Sequence, residues 1–256
     1  MLNRLIRSAL PLRRRHQIRL LFGRYPAPLR EHYPDLAMMR LRRGAVVFDV
    51  GANVGQFAES LIAHQPFADL HVFEPIPEAL ETLRRNLAGI DGIRFNGFAL
   101  GNAAGCRDFV VRRFDEASSF LDLGQRLREG VYGLDFGAER TITVEMRRLD
   151  NYVRESGVGA IDLLKLDVQG YELEVLRGAE EVLPRIDWIY TEAQFQELYA
   201  GGPTFDDTFS FLHARGFDLL RMTSFRADDD GRLMECDMIF RRRGAEAGRG
   251  SSGRPA

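Results

Sequence analysis

Lysine is almost missing from this 256-residue chain: of 35 basic side chains only Lys165 is one. It falls inside an apolar run, IDLLKLDV over 161–168, where an ammonium needs a partner because desolvating an unpaired charge is costly. Cysteine is scarce too. Cys106 and Cys236 lie far apart and match no metal-ligand spacing, so a disulfide scaffold is excluded, core packing is expected for both, and a reducing cytoplasm is the expected setting. No apolar run approaches the roughly 18 residues of a membrane span. No continuous apolar stretch follows the first charges, so a signal peptide is not expected. The five histidines share no spacing, which argues for surface or core roles over metal ligation. There is no internal repeat.

What is present has an uneven charge. Hydrophobic residues at 45% and charged residues at 28% are ordinary for a globular protein, and the length suits one α/β domain or two small ones. The net charge of −2 conceals a basic stretch: residues 1–43 carry 11 arginines against Glu31 and Asp35. Leu2, Leu5, Ile6, Ala9 and Leu10 recur there at helical spacing until Pro11. Such a segment either packs on the main domain or rests on an anionic membrane surface; packing is the simpler expectation. The sequence thus divides into a basic extension over 1–43, a main domain over 44–241 and a tail over 242–256 too polar to fold.

Between the ends, strand and helix patterns alternate. Strands are expected over 45–50, 70–74, 93–100, 107–112, 141–147, 161–167 and 188–192, and a closing hairpin over 217–222 and 233–240 around an acidic turn. Helices are expected over 56–65, 77–87, 171–177 and 205–215, with Pro77 in a first turn and Gly178 ending the third. Residues 115–140 lack a pattern and read as a loop over a site. The fold class is α/β: a doubly wound, mainly parallel sheet of about seven strands with an antiparallel edge strand.

In such sheets ligands sit at the carboxyl ends of the strands. The first strand ends DVGANVG, where Gly51 and Gly55 let the backbone turn sharply and approach a ligand beside a helix N-terminus. The second ends in Glu74, placed to accept hydrogen bonds from ribose hydroxyls. A pyrophosphate-binding turn needs glycines at relative positions one, three and six; from Gly51 the last two are Asn53 and Gln56. Asp49 at the strand tip would repel a pyrophosphate but suits an ammonium or sulfonium. A ligand with an adenosine and no diphosphate follows.

The segments FDVGANVGQF, FEPIPEALETLRRN, NGFALGN and LLKLDVQGYELEVLRGAE, in this order, resemble the successive motifs of FkbM-type methyltransferases. The resemblance runs from Val46 to Glu197. It implies a class I methyltransferase fold, S-adenosylmethionine as cofactor, and methyl transfer to a hydroxyl of a saccharide, glycolipid or natural product. It also implies that Asp49, Gly51 and Asn53 cradle the methionine part, that Glu74 binds the ribose, and that Ala99 and Leu100 lie near the adenine. The chain departs from the family at Gln169, where a glutamate is usual; one acid is thereby lost.

A hydroxyl is a poor nucleophile, so its methylation calls for a general base or a metal. Asp167 and Glu192, at the ends of the fourth and fifth core strands, could be base and orienter, or could together hold a divalent cation, as carboxylates at similar strand ends do in catechol-type methyltransferases. The structural alternative is that Asp167 caps the helix near Gly170 while Lys165 and Glu192 form a buried ion pair. Ser118 and Ser119, and the aromatics Phe114, Phe120, Tyr132 and Phe136, lie in the loop over the acceptor. Two other functions remain open: a nucleic-acid methyltransferase using the arginine-rich extension, or a cofactor-binding module without turnover. The acidic balance of the main domain tells against nucleic acid.

Overall fold

The computed structural model describes residues 33–65, 68–113, 117–131 and 135–245. The amphipathic stretch over 2–10, His16, His32, Phe114, Tyr132 and the tail beyond 245 lie outside the described residues.

The core is one seven-stranded sheet. In chain order its strands are β1 (Val46–Val50), β2 (Asp69–Phe73), β3 (Ile93–Asn96), β7 (Ile161–Leu166), β8 (Ile186–Gln194), β9 (Phe217–Ala227) and β10 (Leu233–Arg242). Their spatial order is β3-β2-β1-β7-β8-β10-β9. The first five run parallel; β10 pairs antiparallel with β8, and the edge strand β9 pairs antiparallel with β10. The hydrophobic runs of β1 and β7 are those of strands covered on both faces.

Alternation assigns each face its helices. Val47, Leu70, Leu163 and Tyr190 meet α1 (Leu36–Met39), α2 (Gln56–His64) and α3 (Pro77–Asn86). Phe48, Phe73, Leu164 and Ile189 meet the opposite layer, which includes α5 (Leu149–Ser156), α6 (Glu172–Arg177) and α7 (Phe205–Ala214). Before α5 in the chain, α4 (Gln125–Arg128) lies in the patternless segment. Within the second layer His71 stacks on Phe48 and shares a 2.7 Å hydrogen bond with the Tyr152 hydroxyl; burial lowers its pKa to about 4, so it is a neutral core histidine.

The structure corrects the sequence reading in three places. The strand expected over 93–100 is two: the chain breaks at Gly97 and Phe98, and β4 (Ala99–Leu100) joins β5 (Gly105–Arg112) and β6 (Ala138–Arg147) in a separate sheet, order β4-β6-β5. α5 (Leu149–Ser156), which buries Leu149, Tyr152 and Val153, was not expected. β10 also runs past the expected end at Phe240 to Arg242, whose guanidinium pairs with Asp187 at 2.7 Å.

The described part of the basic extension lies on the domain. Leu36 and Met39 are buried there, Asp35 pairs with Arg221 at 3.0 Å and Arg42 with Asp162 at 2.9 Å. Among the described residues no helix is long and apolar enough to cross a membrane.

Candidate functional site

β1 leaves the sheet at Gly51, whose φ is 76°. A Cβ there would stand 1.8 Å from the Asp167 carbonyl oxygen, so the ends of β1 and β7 approach as only glycine allows. The Gly51 and Ala52 amides both donate to the Phe73 carbonyl, at 3.1 and 3.0 Å, which fastens the turn to the end of β2. Gly55, φ 101°, precedes α2, and a Cβ there would meet a Leu83 methyl at 2.7 Å. Its role is to let α2 pack against α3, and it does not reach the cavity wall.

Glu74 follows directly from that fastening. Its Oε2 accepts from the Asn53 amide at 2.9 Å and its Oε1 from the Ile76 amide at 2.8 Å. Burial pushes its pKa up to about 7, and the two amide hydrogen bonds restrain the rise. A carboxylate held by backbone alone keeps lone pairs for a ligand's hydroxyls.

Lys165 stands directly opposite Asp49 in the β1–β7 register. Its ammonium lies 3.2 Å from Asp49 Oδ1 and 3.4 Å from Asp167 Oδ2, and donates to the Gly51 carbonyl at 3.0 Å. Burial opposes its charge, but the carboxylates of Asp49 and Asp167 outweigh burial and hold it charged. Asp49 is fully buried beneath the turn, with no hydrogen-bond partner for Oδ2 among the described residues. It therefore neutralises the lysine and does not line the cavity. The structural alternative of a Lys165–Glu192 ion pair is not what the described residues show: register brings Asp49 to the ammonium instead.

Asp167 caps no helix, since α6 begins at Glu172 after Tyr171 with no side-chain cap. Its Oδ1 accepts from Gln169 Nε2 at 2.7 Å, and the same nitrogen lies 3.4 Å from Glu192 Oε2. Gln169 Oε1 in turn accepts from the Tyr199 hydroxyl at 2.7 Å. Glu192 is half-buried at the cavity wall. Its pKa is pushed well up, first by burial and then by the carboxyls of Glu235, Asp167, Glu172 and Asp237. The amide donor of Gln169 stands between the two carboxyls. Among the described residues no three His, Cys, Asp or Glu side chains are grouped to hold a metal ion.

These groups open onto one cavity of about 650 Å³, within the range of small-molecule sites. Of the residues singled out in the sequence, Gly51, Asn53, Glu74, Ala99, Leu100, Asp167 and Glu192 line it; Asp49 and Gly55 do not. It follows the carboxyl edge from β2 to β10, four strand spacings or about 19 Å. Sequence reasoning missed Tyr33, Tyr199, Asp237 and the bridging part of Gln169. The period-two pattern around Glu192 and Asp237 could have shown that they are cross-strand partners had the β8–β10 register been known.

The segment over 117–131 roofs the cavity. Ser118 accepts from the Arg112 amide at 3.0 Å, and Ser119 donates to the Gln169 carbonyl at 2.7 Å. Phe120 and Phe136 line the cavity with Phe109 of the small sheet. The Arg112 guanidinium, nearly buried, holds the roof by donating to the carbonyls of Phe136 and Leu121.

A doubly wound sheet in this order, with a glycine turn after β1 and a carboxylate at the tip of β2, defines a class I methyltransferase, whose methyl donor is S-adenosylmethionine. Residues 49–219 match the Methyltransferase FkbM domain, and the chain belongs to that family. It is 36% identical over 160 residues to the 2-O-methyltransferase NoeI of Sinorhizobium fredii, covering 61% of this chain and 66% of NoeI, just under two thirds of that relative. It is 30% identical over 222 residues to the 31-O-demethyl-FK506 methyltransferase FkbM of Streptomyces tacrolimicus, covering 75% and 81%. It is 29% identical over 213 residues to the methyltransferase sdnD of Sordaria araneosa, covering 75% and 80%.

Proposed function

We propose that this chain methylates a hydroxyl of a saccharide, glycolipid or natural product, with the donor held over β1 and β2 and the acceptor over β7, β8 and β10. The observation that carries this reading is the single cavity joining Glu74 at one end to Asp167, Gln169 and Glu192 at the other. The names of NoeI and of FkbM, which specify O-methyl positions, support an oxygen acceptor. The acceptor end is walled by Asp167, Glu192, Glu235 and Asp237, carboxyls suited to receive sugar hydroxyls and unsuited to phosphates. That wall disfavours nucleic acid.

The donor residues fit their role. Glu74, with both oxygens on backbone amides, would take the ribose hydroxyls, and the exposed backbone at Gly51 and Asn53 would face the amino-acid part. Ala99 and Leu100, buried and apolar, would flank the adenine. S-adenosylmethionine supplies, when bound, a methyl carbon on a sulfonium that needs no further activation to leave. The protein's own work is then to orient the acceptor oxygen and to take its proton. In this reading Asp167 takes the proton, and Glu192, whose pKa burial and neighbouring carboxyls push up, orients the acceptor by hydrogen bonding. The two unpaired cysteines, Cys106 exposed and Cys236 buried, support a cytoplasmic setting.

The test is mass spectrometry of cell extracts incubated with methyl-labelled S-adenosylmethionine, with and without the protein. Label in a carbohydrate or small-molecule ether is expected, and label in RNA alone would overturn the reading. Glu74→Gln puts an N–H against the Asn53 or Ile76 amide, so calorimetry should find S-adenosylhomocysteine binding weakened about 10–100-fold. In the wild type that affinity should also fall as pH drops through about 7, where Glu74 takes up a proton. Unchanged affinity in the variant would remove Glu74 from the donor site.

A further inference from the structure

We propose that Gln169 is the positioning residue of this site: its side-chain amide holds the Asp167 and Glu192 carboxyls as a pair and ties that pair to the roof of the cavity. The reaction it serves rests on the methyl-transfer reading above; the contacts stand on geometry alone.

A primary amide carries two N–H groups, so Nε2 can give one to each carboxyl, at 2.7 Å to Asp167 and 3.4 Å to Glu192. The Tyr199 hydroxyl donates to Oε1 at 2.7 Å, which sets the oxygen on the tyrosine side and the nitrogen on the acid side. The backbone is constrained as well. Gln169 has a φ of 55°, a left-handed conformation that a residue with a Cβ adopts only when its surroundings enforce it. Two contacts enforce it here. Ser119 donates to the Gln169 carbonyl at 2.7 Å, and Tyr199 lies so near the next residue, Gly170, that a Cβ there would meet its Cβ at 2.9 Å and its ring at 3.0 Å.

One clamp belongs to the roof and the other is joined to it. Ser119 bridges to Val110 of the small sheet, and Tyr199 bridges to Leu123. The residue thus meets the roof through its backbone carbonyl at Ser119 and through its side-chain Oε1 at Tyr199, and the acid pair through its Nε2. The roof and the acid pair share one fastening.

The neighbourhood explains why that fastening is neutral. Facing Glu192 are Asp167 just past β7, Glu172 from α6, Glu235 and Asp237 from β10, and the Tyr199 hydroxyl. The nearest cations are already engaged, Lys165 with Asp49 and Asp167, and Arg226 with Glu235 at 2.7 Å. A carboxylate at 169 would add another like charge and remove the donor that, among the described residues, the two acids share. Methionine would keep the volume and lose the donor.

The experiment compares thermal midpoints of the full chain with those of Gln169→Glu and Gln169→Met between about pH 5 and pH 8. A carboxyl whose folded pKa is raised adds stability below its unfolded value near 4.3, and loses it as pH rises through the folded one. Gln169→Glu should therefore melt near the wild type at about pH 5 and fall behind it by roughly 5–10 °C by about pH 8. Gln169→Met should sit below the wild type by a constant margin. Parallel curves for the two variants would mean that residue 169 only fills space, and would overturn the proposal.

Hydrogen exchange supplies a second arm at a pH where the variants fold. In Gln169→Met, which loses the Tyr199 bond, the Gly124 and Ala200 amides that join the roof to the Tyr199 segment should exchange at least about tenfold faster than in the wild type. Unchanged exchange would overturn the tie to the roof. Calorimetry with S-adenosylhomocysteine on the wild type separates the two readings: failure to bind would sink the donor site and leave the melting comparison standing.

Discussion

Lys165→Met is expected to lower the unfolding free energy by about 3–5 kcal/mol at neutral pH, the largest stability effect of any single change in the site. The reason is what the lysine leaves behind. Asp49 is fully buried, its nearest cation is the ammonium at 3.2 Å, and its Oδ2 has no hydrogen-bond partner among the described residues. Methionine fills much of the volume beside the Phe57 ring, which the ammonium approaches to 5.7 Å, but it answers no charge. Asp49 must then either stay ionised in an apolar setting or take up a proton.

The pH dependence distinguishes this from simple loss of packing. Burial already pushes the Asp49 carboxyl up against the pull of Lys165, and without the lysine it rises further. A carboxyl with a raised folded pKa gives stability below its unfolded value near 3.9 and loses it as pH rises through the folded value. The deficit of the variant should therefore shrink as the solution is acidified. Urea unfolding at about pH 5 and about pH 8 measures it, and a deficit that is the same at both would point to packing alone.

How much of this could be read from residues follows from which contacts are local. The turn after β1 was legible because glycines at 51 and 55 answer needs within a few residues, and Glu74 because the next strand end recurs at a predictable distance. The partner of Lys165 was not legible because the choice between Asp49 and Glu192 depends on register between strands more than 100 residues apart in the chain. The break between β3 and β4 was hidden for a related reason. Residues 93–100 keep a strand-like composition, but Gly97 must sit against Leu80, where a Cβ would come within 3.0 Å, and the chain changes sheets there.

The roof was the least legible part. Its order comes from Arg112 donating to two carbonyls, from Ser119 on Gln169 and from Tyr199 beside Leu123. None of these leaves a period in the sequence. The departure at Gln169 was visible, yet it read as the loss of an acid. The structure shows an added donor.

Asp167→Asn should lower methyl transfer by about 10²–10⁴-fold, the range a positioned general base contributes, while donor affinity stays as it was. The substitution is nearly isosteric, and asparagine Oδ1 can still accept from Gln169 Nε2, so the pairing geometry survives. What disappears is the negative charge 3.4 Å from Lys165 that would receive the hydroxyl proton as the new carbon–oxygen bond forms. Glu192 is the poorer base. Burial and the carboxyls of Glu235, Asp167, Glu172 and Asp237 push its pKa well up, which favours the form that donates a hydrogen bond. Glu192→Gln keeps such a donor and should cost far less in turnover than Asp167→Asn. Single-turnover measurements with labelled S-adenosylmethionine, on the acceptor recovered from extract, compare the two variants directly. If Glu192→Gln is the more damaged, the roles are exchanged: Glu192 takes the proton, and Asp167 serves to hold Lys165 and Gln169 in place.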